Sequence, residues 1–140
     1  MNLDNFNKLI GQTIMECQAI EHDVKLIYAG MLKGDFNKNF VTIKDKALGP
    51  VLVDLEKLDN SDGKPYFKRD DYELLFQIKD FRNWLVHSSY VDFMYKQGQD
   101  FERHYNLTYD KLKQFYGRIS VLGGQLEKVR LNVLRTFGRI

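Results

Sequence analysis

The sequence predicts an all-α protein, an up-and-down bundle of four to five helices forming one domain over residues 1–140. Three observations carry this. Apolar residues recur at steps of three and four through long segments, the period of a helix with one buried face. Those segments are separated by short stretches rich in glycine, asparagine, aspartate and proline. No internal repeat or low-complexity run breaks the pattern, and 140 residues suffice to bury one core.

The first helix is expected from about Asp4 to Leu32, with Phe6, Leu9, Ile10, Ile14, Cys17, Ile20, Val24, Ile27 and Met31 on its apolar stripe. Asp4 or Asn5 would cap its start, and Gly30 and Gly34 would stop it. Within it Glu21, His22 and Asp23 make a polar cluster. Glu21 lies one turn beyond Cys17 on a largely apolar side, so it should meet a polar partner, in the simplest case on another helix. Residues 34–40 read as a polar connection. A second helix, about Thr42 to Leu58, is interrupted by Gly49-Pro50, where proline implies either a kink or a true start. Asp59-Asn60-Ser61-Asp62-Gly63-Lys64-Pro65 is a turn; it lacks the alternating acids and terminal glutamate of a calcium loop.

The third helix should begin near Asp70 or Asp71, whose carboxylates suit a helix start. Leu74, Leu75, Ile78, Phe81, Trp84 and Leu85 form its apolar face. Residues 88–95 either extend it or make an irregular, short β-like excursion, and 96–100 read as a turn. Thr108 is the expected cap of the last helix, which carries Leu112, Phe115, Ile119, Leu122, Leu126, Val129 and Val133. Gly123-Gly124 inside it implies either close approach of a neighbour or a kink, since each glycine costs about 1 kcal/mol relative to alanine.

Composition limits the function. A net charge of +2 is too small to argue by itself for a nucleic acid or a membrane. From Arg118 onward, however, Arg118, Lys128, Arg130, Arg135 and Arg139 face one acid, Glu127; this is either a solvated face or a surface for a polyanion. The single cysteine excludes an internal disulfide and fits a reducing cytoplasm, and its place on the apolar stripe predicts burial. With no signal-like start and no run of roughly 20 apolar residues, a soluble cytoplasmic protein without membrane association is expected. His22, His87 and His104 lack metal-ligand spacing, Ser88 and Ser89 lack a triad, and no phosphate-cradling glycine loop occurs, so neither a metal nor a cofactor is expected.

The chemistry concentrates in Asp80-Phe81-Arg82-Asn83-Trp84-Leu85-Val86-His87. Arg82 and His87 are five residues apart, about 140° around a straight helix, so one chain alone pairs them poorly. Asn83 and His87, four apart, share a face. A bent helix end, a long arginine reaching around, or a second subunit would bring arginine and histidine together, and the geometry leans toward a symmetric dimer. Such a set suits metal-independent RNA cleavage. Imidazole can accept the proton of a ribose 2′-OH, and arginine can hold the phosphate that the 2′-oxygen attacks. Aromatic residues from Phe101 to Tyr116 would either pack the core or stack on unpaired bases.

Arg82-Asn83-x-x-x-His87 on a late helix of a small helical protein resembles the Arg-x(4–6)-His motif of the HEPN superfamily. The resemblance implies a HEPN-like helical bundle, a homodimer with two motifs meeting at its interface, and either endoribonuclease activity in toxin–antitoxin or defence systems or non-catalytic binding of a nucleotide or partner. It assigns phosphate contact to Arg82, catalysis to His87 and a supporting role to Asn83; by position rather than by resemblance, Tyr90 near His87 and Glu21 on the first helix are further candidates lining the site. In one branch a partner nucleotidyltransferase modifies a tyrosine two residues beyond the histidine; here Tyr90 lies three beyond His87.

Overall fold

A computed structural model describes residues 2–140, and every regular element in them is a helix. These are α1 (Leu3–Met31), α2 (Phe36–Ile43), α3 (Leu48–Asp59), α4 (Arg69–His87), α5 (Val91–Met94) and α6 (Gly98–Thr136). The four long helices are those the periodicity predicts. Two short ones bring the total to six, rather than four to five.

Pair contacts fix the directions. Phe6 meets Tyr105 and Tyr109, Asp23 pairs with Arg130, and Gly30 abuts Leu134, so α1 and α6 run parallel. α4 runs against α6, with Phe81 stacked on Phe115 and Gln77 accepting from Arg118. It also opposes α3, whose Gly49 lies beside Lys79 and whose Asp59 meets Tyr72 at the other end. α2 runs back along α1, Asn39 bonding the Ala29 carbonyl and the Lys44 carbonyl accepting from Lys25. The bundle is up-and-down. No described helix is long and apolar enough to cross a membrane.

Several boundaries differ from expectation, each for a local reason. Asn2 caps α1 in place of Asp4 or Asn5, its side chain accepting from the Asn5 amide at 3.2 Å. Gly30 does not stop α1; it lies inside, where its missing side chain admits Leu134, while Gly34 takes the turn with φ +96°. The expected 42–58 helix is two helices. α3 starts at Leu48 with Gly49-Pro50 in its first turn, where a proline removes only an amide that would be unpaired anyway, so no kink is needed. α6 starts ten residues before Thr108, because Phe101, Tyr105 and Thr108 already sit at helical spacing; Tyr105 and Phe101 pack on Phe93, and Thr108 is buried mid-helix. Residues 88–95 hold a turn and α5, not a strand. α6 is one unbroken helix through Gly123-Gly124. The Glu16 carboxylate of α1 occupies the space where a Gly123 side chain would lie, whereas Gly124 faces open space.

The core has two parts. One packs α1, α3, α4 and the C-terminal half of α6 around Ile20, Val24, Leu52, Leu75 and Ile119. The other is aromatic, with Phe6, Phe81, Phe93 and Tyr105 at the end where α4 terminates. Cys17 is buried as expected, and desolvation, reinforced by the nearby Glu21 charge, pushes its thiol up to about 11. The C-terminal basic run is largely absorbed by the fold. Arg130 pairs with Asp23, Arg118 bonds Gln77, and the Arg139 guanidinium donates to the carbonyls of Gly30, Leu32 and Gly34 around the end of α1.

Candidate functional site

Arg82 and Asn83 lie on the solvent side of α4 because Phe81 and Leu85, on its other face, are committed to the aromatic core. Phe81 stacks on Phe115 with ring centroids 3.5 Å apart and an angle of 11°, which fixes the rotation of α4 at this point. Arg82 is thereby turned toward α1. There its Nη1 pairs with Oε1 of Glu21, the polar partner that the position of Glu21 demanded. The Glu21 side chain is only 15% exposed and the Arg82 side chain 46%. The carboxylate is thus a sheltered anchor, and the guanidinium is held by one nitrogen, its other donors having no protein partner among the described residues.

This pair forms one wall of a cleft of about 390 Å³ between α1, α4 and the start of α3. Arg82, Asn83, Glu21, Lys25, Lys46 and Lys79 line it, with Asp45, Ala47 and Leu48 closing the end. Four cations face two carboxylates, one of them already paired. Positive potential dominates the cleft. Lys25 is one helical turn from Glu21 and Lys79 one turn before Arg82, a spacing visible in the sequence but unremarkable without knowing which helix faces meet. Lys46 comes from the α2–α3 connection, where spacing carries no signal.

His87 is the last residue of α4. It is exposed, lies outside the residues lining the cleft, and makes no side-chain hydrogen bond or ion pair among the described residues. Within one chain Arg82, Asn83 and Glu21 come together and His87 does not join them. Tyr90 is also outside. Its hydroxyl donates to Asn7 and its ring meets Phe6 edge-on at 5.2 Å, while burial raises its pKa. Trp84, between the two motif residues, donates Nε1–H to Asp92 at 2.8 Å and carries Lys111 over its ring at 3.9 Å. Val86, next to His87 in the chain, is exposed, as are Val91, Met94 and Tyr95 in the segment that follows, and Leu107, which shares a depression with Val91.

Comparison with family models, with curated proteins and with solved structures finds no match to this chain.

Proposed function

We propose that this chain is a metal-independent endoribonuclease of HEPN type, active as a homodimer in which His87 of one copy completes the Arg82 cleft of the other. The observation that carries this reading is the division of the motif. Arg82 and Asn83 sit in a cationic cleft that contains no histidine, while His87 has no side-chain partner among the described residues and precedes a segment, 88–95, whose Val91, Met94 and Tyr95 form an exposed apolar surface with Val86 before them. A two-fold contact through that surface would bury it and supply the missing imidazole to each cleft.

In the completed site the Arg82 guanidinium binds the non-bridging phosphate oxygens bidentately, and Glu21 holds it in position. His87 takes the 2′-OH proton, the 2′-oxygen bonds to phosphorus, and the P–O5′ bond breaks. The products are a 2′,3′-cyclic phosphate and a 5′-hydroxyl end, the latter receiving a proton. Arg82 stabilises the added negative charge of the transition state, and Asn83 can bond an oxygen or orient the imidazole. The same resemblance carries a toxin–antitoxin or defence role for this activity.

The absence of any histidine from the single-chain cleft favours a second reading. A chain that stays monomeric would be a nucleotide- or partner-binding module of the same fold. RNA incubated in excess chelator separates the two. Wild type should cut, and His87→Ala and Arg82→Ala should each fall about 10²–10⁴-fold. Mixing the two inactive variants should restore about a quarter of wild-type activity, because half the dimers are mixed and each mixed dimer regains one intact composite site. No restoration would rule out a shared site; no cleavage by wild type would leave the binding module.

A further inference from the structure

We infer that the Lys25–Lys46–Lys79 end of the cleft is a second phosphate position, which holds the phosphate next to the one at Arg82 and so makes a single RNA strand the ligand. The inference rests on the reading above for the role of Arg82, but its own support is separate. The three lysines converge on one cavity with Arg82, and none of them forms an ion pair with a carboxylate among the described residues. Lys25 is anchored there by donating to the Lys44 carbonyl at 2.9 Å. Lys79 is held over the first turn of α3, where a side chain on Gly49 would lie 3.7 Å from its ammonium.

That placement is electrostatically adverse. Lysines belong at the negative end of a helix, yet Lys46 and Lys79 crowd the positive end of α3, which has no acid in its first turn and no side-chain cap. Of the two carboxylates that line the cleft, Glu21 is paired with Arg82, and Asp45 forms no ion pair among the described residues. An anion in the cavity relieves the repulsion among the cations, and the cavity runs directly on from Arg82. A phosphate there and another at Arg82 match two successive phosphates of one strand, because Lys79 and Arg82 are a single turn apart on one face of α4.

The test uses the full chain carrying His87→Ala, which leaves RNA uncut, and a fluorescently labelled uridine hexanucleotide read by anisotropy across a salt series. Replacing Lys46 and Lys79 together by glutamine should weaken binding about tenfold or more and lower the log–log salt slope by about 0.7 for the lost phosphate contact. Both lysines are exposed, so circular dichroism should show an unchanged fold. An unchanged affinity and slope would overturn the inference. So would a cleft that takes inorganic phosphate in titration calorimetry while the hexanucleotide ignores both lysines. The outcome is separable from the nuclease reading: a wild-type chain that cuts no RNA yet binds the hexanucleotide through these lysines keeps the second phosphate position and loses the nuclease.

Discussion

Asp59 is 2% exposed, yet it is a carboxylate held by three donors. Its carboxylate accepts from the Tyr66 amide at 2.7 Å, the Phe67 amide at 3.2 Å and the Tyr72 hydroxyl at 2.6 Å. It therefore ties the end of α3, the 60–68 loop and the start of α4 together. The Tyr72 phenol is pushed far above its ordinary range, chiefly by burial and then by its bond to Asp59. Asp59→Ala would leave two amides and a hydroxyl without partners, and urea unfolding should show a loss of about 3 kcal/mol or more. Tyr72→Phe removes one donor and should cost about 1 kcal/mol. Equal small effects from both would mean that water replaces the carboxylate. Glu21 is the corresponding residue at the site, with one difference: its partner keeps donors to spare.

At the scale of elements, the glycines separate packing from propensity. Gly124 is mid-helix with nothing near its missing side chain, so Gly124→Ala should raise unfolding free energy by roughly 1 kcal/mol. At Gly30 the added methyl would meet Leu134 at 2.8 Å in a buried contact, and Gly30→Ala should lower stability by about 1–3 kcal/mol despite the same gain in propensity. Chemical denaturation of the two variants side by side reads the contrast directly. If both stabilise, α1 and α6 are not packed as described. Arg139 acts on the same contact, closing the end of α1 from beyond the end of α6.

For the whole molecule the expectation concerns assembly. Val91 and Leu107 line one depression beside α5, and Val86, near the end of α4, and Tyr95, just past α5, are exposed. Sedimentation should give twice the 16.6 kDa chain mass for wild type. Leu107→Glu, at an exposed position, should give the single-chain mass with an unchanged helical spectrum and no cleavage. A wild type that sediments as one chain at all accessible concentrations removes the proposed shared site.

Periodicity alone determined the helical class, the four long rods and their buried faces, because each rod must hide its own stripe wherever it packs. It determined the burial of Cys17 and the need of Glu21 for a partner, since both follow from position on one helix. Tertiary structure decided the rest. Capping and short helices such as α2 depend on who bonds the free amides, and the early start of α6 depends on Phe93 being there to receive Phe101 and Tyr105. The cleft was illegible for the same reason. Lys25, Lys46 and Lys79 come from three segments, and only the packing of α1, α3 and α4 makes them neighbours of Arg82. The separation of Arg82 from His87 around α4 was already set by their spacing, but which of the two meets the cleft was decided by the rotation of α4, fixed by Phe81 on Phe115, a contact between residues 34 positions apart.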